Sequence, residues 1–278
     1  MPTIDQLKRS IRANTPDPVA YGDKLDLLCA ILDKAPSFLI TQGDYVLSDD
    51  EYRAWLDSVE RLEQGEPLAY VLGRQGFWGR EFVVNRHTLI PRPDSERLIE
   101  TVLDFVKVQG LTAPRILDLG TGSGCLAVTL AKELPSSQVM AVDFCADALQ
   151  VATQNGKHLQ ANNCQFIQSN WFDDVVGVFD VIISNPPYIA PDDEHLPSLS
   201  AEPVTALVAD EFGLADIRHI VAGAGRFLVS GGLLAVEHGY DQGQAVARIF
   251  TQCGFSDVQT IKDYGNNDRL TLGVYHAN

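Results

Sequence analysis

The sequence predicts an α/β protein in which a small N-terminal helical bundle precedes a seven-stranded, doubly wound sheet. Three observations carry that expectation. Apolar residues recur at helical spacing up to about residue 75; short, nearly continuous apolar runs then alternate with amphipathic stretches; and a glycine-rich turn follows the first of those runs. The chain has 278 residues and is 45% hydrophobic, enough for a full core in one large or two smaller domains and too apolar for a disordered chain.

Thr3 to Gln6 and Ser48 to Glu51 are both capping-box patterns, in which a hydroxyl and a side-chain acceptor three residues later satisfy N–H groups at a helix start. They predict helices near 4–14 and 48–64. Between them Leu25, Leu28, Cys29 and Leu32 repeat at helical spacing, as do Trp55, Val59 and Leu62 in the last helix. Residues 1–75 are therefore expected to form the bundle. Residues 76–92 carry two short apolar runs around polar turn residues and are read as a hairpin linker, an irregular loop being the alternative. The third part, 93–278, opens with a helix to 107. Strands are expected at 115–119, 138–142, 164–167, 179–184, 232–236, 257–261 and 269–275, with helices near 123–134, 146–160, 212–229 and 240–253. Such alternation implies a parallel sheet covered on both faces.

Lys and Arg total 21 against 37 Asp and Glu, a formal charge of −16. A protein gripping nucleic acid through phosphates would lean the other way, so direct nucleic-acid binding is not expected. Cysteines 29, 125, 145, 164 and 253 are odd in number and form no C-x-x-C, which supports neither a disulfide framework nor a cysteine zinc site. The first 14 residues lack an apolar signal core, and no run reaches the roughly 18 apolar residues of a membrane span. A soluble protein of the reducing cytoplasm is expected, with no membrane partner. Six histidines show no metal-ligand spacing, and no metal is expected.

Asp118, Gly120, Thr121, Gly122, Ser123 and Gly124 fall where the first strand of the sheet turns into a helix. Glycines there let backbone approach a ligand, and doubly wound sheets bind ligands at the carboxyl ends of their strands. A nicotinamide enzyme is one reading, but Cys125 occupies the place of the third fingerprint glycine. An acid at position 118 repels pyrophosphate and suits a ligand with a cationic amino-acid head. Asp143 ends the next strand, where a carboxylate can accept both ribose hydroxyls. Together these favour S-adenosylmethionine over a dinucleotide; acids that merely cap the following turns are the plainer alternative.

Ser184-Asn185-Pro186-Pro187-Tyr188 directly follows the buried run 179–183. Two prolines fix φ and remove two N–H donors, leaving a stiff surface of acceptors. The Asn185 side-chain oxygen and the Pro186 carbonyl can each take one hydrogen of a planar NH2 group, with Tyr188 packing on its plane. An amide nitrogen is a poor nucleophile because its lone pair is delocalised, and holding both hydrogens favours pyramidalisation. A proline-rich turn ending a strand is the bland alternative.

These motifs, with NWF (170–172), EP (202–203), VEHG (236–239), PLAYVLG (67–73) and TLIPRPDSE (88–96), resemble the glutamine methyltransferases that modify peptide chain release factors in translation termination. The resemblance covers nearly the whole chain after residue 65. It implies a Rossmann-like methyltransferase domain, S-adenosylmethionine as donor with S-adenosylhomocysteine as product, release factors as protein partners, and an N-terminal bundle that helps select them. It assigns the donor to Gly120 through Gly124, Asp143, Trp171 and Asn185, and the substrate glutamine to Asn185, Pro186, Pro187 and Tyr188. The family's Ser-Asp-Trp stands here as Ser169-Asn170-Trp171, and its Phe-Glu-Pro as Ala201-Glu202-Pro203. Two rivals remain: a base-amino methyltransferase, whose NH2 the same loop would hold, and a silent scaffold. Glu237-His238 is read as a pair satisfying local backbone rather than as a catalytic pair, and Asp192 to Glu194 as a solvated loop face.

Overall fold

Both capping boxes close. Thr3 Oγ1 accepts from the Gln6 amide at 3.2 Å while the Gln6 side chain accepts from the Thr3 amide at 2.8 Å, and Ser48 and Glu51 repeat the exchange at 3.2 and 2.7 Å. The computed structural model describes residues 1–277 and divides them into two units, Met1–Gly73 and the residues from Arg74 onward. The first holds α1 (Ile4–Asn14), α2 (Pro18–Leu32), α3 (Phe38–Thr41), α4 (Asp49–Glu63) and α5 (Leu68–Leu72). Helix α2 starts seven residues before the apolar repeat first shows at Leu25, because Asp17 caps the amides of Val19 and Ala20 and Pro18 takes the first helical position. Leu7, Ile11, Leu28, Leu32 and Trp55 form its core, each buried apolar side chain contributing about 1.5–3 kcal/mol.

The second unit opens with the antiparallel hairpin of β1 (Arg74–Phe77) and β2 (Arg80–Val83). Trp78 and Gly79 turn it with φ of 50° and 66°, the left-handed pair that suits a tight hairpin. The chain from 84 to 92 is irregular. Phe77 and Phe82 are buried against α6 (Glu96–Gln109) and α7 (Cys125–Glu133).

The sheet comprises β3 (Arg115–Leu119), β4 (Gln138–Asp143), β5 (Cys164–Gln168), β6 (Phe179–Ser184), β7 (Leu228–Glu237), β8 (Ser256–Lys262) and β9 (Asp268–Tyr275), in the order β5-β4-β3-β6-β7-β9-β8. Helix α8 (Ala146–His158) follows β4, a distorted turn α9 (Asp210–Gly213) leads into α10 (Ala215–Ala224), and α11 (Gly243–Gln252) follows β7. The sheet departs from the all-parallel expectation in one strand: β9 runs antiparallel to both β7 and β8. Residues 263–267 are too few for a crossover helix, so the chain can only turn back. The helix expected over 212–229 also proves shorter. Glu211, Phe212 and Gly213 take φ of 55°, 58° and 79°, which no right-handed helix admits, and β7 starts at Leu228 instead of 232.

Strand residues alternate between two cores. Ile116, Val181, Ile183, Leu233 and Ala235 face one side with α6 and α7, while Leu117, Leu119, Ile182, Leu234 and Val236 face the other with α10 and α11. The strand order reverses between β3 and β6, and it is outside the carboxyl ends at such a reversal that doubly wound sheets open a crevice.

Candidate active site

A cavity of about 340 Å³ lies at that reversal. It is lined by Gly120, Thr121, Gly122 and Ser123 after β3, Asp143 and Phe144 after β4, Asn170 and Trp171 after β5, and Asn185 and Pro187 after β6. Ser95, Pro203, Thr205 and Asp216 complete it from more distant parts of the chain.

The glycine loop is shaped by backbone. Gly120 and Gly124 have φ of 71° and 80°; a Cβ on Gly120 would come within 3.4 Å of the Trp171 ring, and one on Gly124 within 3.2 Å of the Ala152 backbone. Asp143 locks the loop from the neighbouring strand, its Oδ2 accepting the Gly122 amide at 2.8 Å and its Oδ1 the Cys145 amide at 2.9 Å. Burial raises its pKa, and the two amides pull the other way. Asn155 of α8 braces the loop from behind, donating to the carbonyls of Ser123 at 2.8 Å and Val83 at 2.9 Å.

Asp118 sits beneath the loop. It is fully buried and does not line the cavity; Oδ2 accepts the Thr121 hydroxyl at 2.7 Å and Oδ1 has no partner among the described residues. Burial pushes it up to about 7, with the charge of Asp143 adding to the rise.

After β6, Ser184 Oγ donates to the Leu119 carbonyl at 2.7 Å and so ties the two ligand loops together. Asn185 Nδ2 donates to Ser95 Oγ at 3.1 Å, and Oδ1 is buried with no partner among the described residues. Pro187 lines the cavity, whereas Pro186, Tyr188 and Gly124 do not. The Tyr188 hydroxyl donates to Glu237 Oε1 at 3.3 Å, and its carbonyl accepts from Gln242 Nε2 at 2.9 Å. The pair read as locally satisfied divides. His238 bonds locally to the Gly239 carbonyl at 2.8 Å and across to Thr271 Oγ1 on β9 at 2.9 Å, but Glu237 turns to Tyr188 and keeps Oε2 without a hydrogen bond among the described residues.

Phe144 and Asp216 lie outside every sequence motif, and Ser95 and Glu202 fall inside motifs without having been expected as site residues. Glu202 is buried, accepts the Ile90 amide at 3.0 Å and pairs with Arg92, pinning the segment before α6 to the loop that carries Pro203. The partners of Ser95 and Glu202 lie about a hundred residues away in sequence, beyond the reach of any local signal. Phe144 follows Asp143 directly and is 54% exposed, leaving its ring available to a planar ligand. Asn170 Nδ2 bonds Asp173 Oδ2 at 3.2 Å and helps close the turn that holds Trp171 at a φ of 50°.

A close-approach glycine loop with a carboxylate beside it, at the strand-order reversal of a doubly wound sheet, is where such folds take nucleotide-like ligands. The family model described as the methyltransferase small domain matches residues 96–201, and the one described as the PrmC N-terminal domain matches residues 23–73. A release factor glutamine methyltransferase of Aliivibrio fischeri is 42% identical over 97% of this chain and 96% of its own length; one from Salmonella typhimurium is 44% identical over 90% of each chain. The chain belongs to the release factor glutamine methyltransferase family. Among solved structures, a Pyrococcus furiosus methyltransferase matches 80% of this chain and 99% of its own with a TM-score of 0.55 at 18% identity. The hMettl16 catalytic domain matches 90% and 93% with a TM-score of 0.60 at 17%; both likenesses are of fold.

The residues at the glycine loop and Asp143 fit an adenosyl donor, while the acid expected to meet its cationic head, Asp118, lies outside the cavity wall. The loop leaves backbone room that any Cβ at Gly120 would narrow, and Asp143, bonded through one amide at each oxygen, retains lone pairs for further donors.

Proposed function

We propose that this chain transfers a methyl group from S-adenosylmethionine to the side-chain amide nitrogen of a glutamine in peptide chain release factors. The observation that carries it is Asn185 Oδ1, a buried acceptor without a partner in the wall of the cavity that also holds the glycine loop and Asp143. Bound S-adenosylmethionine supplies a methyl group activated on a sulfonium. Gly120 to Ser123 would hold it by backbone, Asp143 would accept its ribose hydroxyls, and Phe144 and Trp171 in the same cavity wall would offer it their rings. Asn185 Oδ1 accepts one N–H of the substrate amide, and the Pro186 carbonyl, which stands outside the cavity wall as the loop is placed, is assigned the other. With both hydrogens held, the nitrogen lone pair is aimed along one line; preorientation of this kind is worth up to about 7–11 kcal/mol in well-aligned systems. The N-methylated, protonated amide is strongly acidic and releases its proton to water, so no general base is required.

The acidity of the chain, −16 overall, favours a protein substrate over a polyanion. All five cysteines are unpaired, in keeping with the reducing cytoplasm as the place of action. We assign recognition of the intact release factor to the unit Met1–Gly73. A chain starting at Arg74 is then expected to bind the donor but to lose kcat/KM on an intact release factor, and equal kcat/KM would remove that role. The central test offers tritiated donor to purified release factors, tRNA and DNA in parallel, with mass-spectrometric mapping of the label. Label on a glutamine of a release factor is expected; label on a base, a lysine or a carboxylate overturns the assignment.

A further inference from the structure

Asn185 meets a choice that its own shape does not decide. An amide presents an oxygen and an NH2 group of nearly equal size, and only hydrogen-bond partners determine which of them a ligand encounters. Here Nδ2 donates to Ser95 Oγ at 3.1 Å, which leaves Oδ1 for the substrate. Ser95 Oγ must then accept, and its single proton must go elsewhere. The acceptor on which the Ser95 side chain acts is Glu237, 2% exposed, whose Oε1 takes the Tyr188 hydroxyl and whose Oε2 is buried with no hydrogen bond among the described residues. Burial raises the pKa of this carboxylate and Ser95 is the first of the side chains that draw it back down, so the Ser95 hydroxyl and Glu237 lie in range of each other. An orphaned buried acceptor and a hydroxyl with a proton to place are complementary, since a buried charge left without donors is costly.

We propose that Glu237 is a positioning residue which, acting through Ser95, holds the Asn185 amide with its oxygen toward the substrate. The proposal rests on the amide-methylating function given above. When Glu237 is ionised, Ser95 donates to Glu237, Asn185 Nδ2 donates to Ser95, and Oδ1 is left to accept a substrate N–H. When Glu237 takes up one proton, the chain of donors reverses. Glu237 donates to Ser95, Ser95 donates to Oδ1, and the amide must turn its NH2 group toward a substrate NH2. Donor then opposes donor, and the substrate nitrogen loses its alignment. The arrangement is analogous to a buried carboxylate setting the orientation of a histidine, with an amide in place of the ring.

Glu237 lies where such a reversal falls within working pH. Burial pushes it up to about 7; Ser95, Arg269 from β9 and Tyr188 lower it, and Asp94 from the turn before α6 raises it. Cys125 at the start of α7 also feels its charge, but burial keeps that thiol protonated. His238, the next residue, is held toward its neutral form by burial.

The test uses the full-length protein labelled with 15N at asparagine, following the Asn185 side-chain NH2 resonance, assigned by its absence from Asn185→Asp. In the wild type it is expected to shift with a midpoint near 7, and in Ser95→Ala and Glu237→Gln to stay flat. A wild-type resonance that does not titrate, or one that titrates unchanged in Ser95→Ala, overturns the proposal. Should Glu237→Gln fail to fold, Ser95→Ala removes one oxygen only and decides the matter by itself. This readout needs no substrate, so it stands even if no release factor is methylated, a result that would overturn the function instead. On a release factor, Ser95→Ala is expected to lower kcat by roughly 10–100-fold, the range for groups that orient a site residue, with KM and donor affinity little changed. It should also abolish the fall of wild-type kcat below Glu237's pKa. An unchanged kcat, or an acid limb that survives in Ser95→Ala, overturns the proposal.

Discussion

The loops after β3 and β6 adjoin each other, joined through Ser184 and the Leu119 carbonyl, yet they are built on opposite principles. The first is a backbone device. Left-handed glycines bend it, its neighbour Asp143 locks it through amide bonds, and nearly every contact spans few residues or one adjacent strand. The second is a side-chain device. Prolines stiffen it, and its working groups are held by Ser95 from ninety positions upstream, Glu237 from the end of β7 and Gln242 beyond it. The donor is a fixed small molecule that backbone can meet, whereas the substrate amide must be held in one of two near-equivalent orientations, which requires partners of defined polarity.

The sharpest way to break the contrast is Asn185→Ala. Loss of one preorganised contact at a reacting group typically costs about 10²–10³-fold in kcat, and donor affinity should change far less. Asn185→Asp should be milder because an acceptor survives. Single-turnover rates with calorimetric donor binding separate the two effects, and equal losses in both would merge the loops into one functional unit.

Asp143→Ala should act in the opposite sense. Losing a charged hydrogen-bond acceptor costs about 1.5–3 kcal/mol of donor affinity, while the single-turnover rate at saturating donor stays near wild type. A rate collapse at saturation would show that the first loop also aligns the reaction.

A smaller effect is expected at Gly213, whose φ is +79° and whose Cβ position lies 2.0 Å from the Tyr188 carbonyl oxygen. Gly213→Ala must at least meet the roughly 1–2 kcal/mol of a left-handed alanine and must displace Tyr188 as well. A lower melting temperature and lower kcat are expected with donor affinity intact.

The smallest effect concerns pH and the floor of the first loop. Asp118 is raised from 3.8 to about 7, so the folded state holds its proton over a range where the unfolded chain has lost it. Its contribution to stability is fully present below 3.8 and is lost as pH rises through about 7. Thermal melts across that window should show Asp118→Asn with a shallower decline than the wild type; parallel curves would mean that Asp118 is not the group responsible.

Local chemistry made most of the fold and half of the site legible in the sequence. The two capping boxes, the apolar strands buried on both faces, the glycines at 120 to 124 and the prolines at 186 and 187 each state a backbone conformation within a few residues. That suffices because caps, periods and φ restrictions act over such distances. The reversed direction of β9 follows from the shortness of 263–267 once the neighbouring strands are placed. Other features came only from tertiary structure: Asp118 beneath the loop instead of in the cavity, Glu202 on the Ile90 amide, Asn155 behind Ser123, Asn185 on Ser95 and Tyr188 on Glu237. Each is a side chain whose role is set by the group that packing brings against it. Burial then decides its protonation and its need for a partner, and neither is written in the residues beside it.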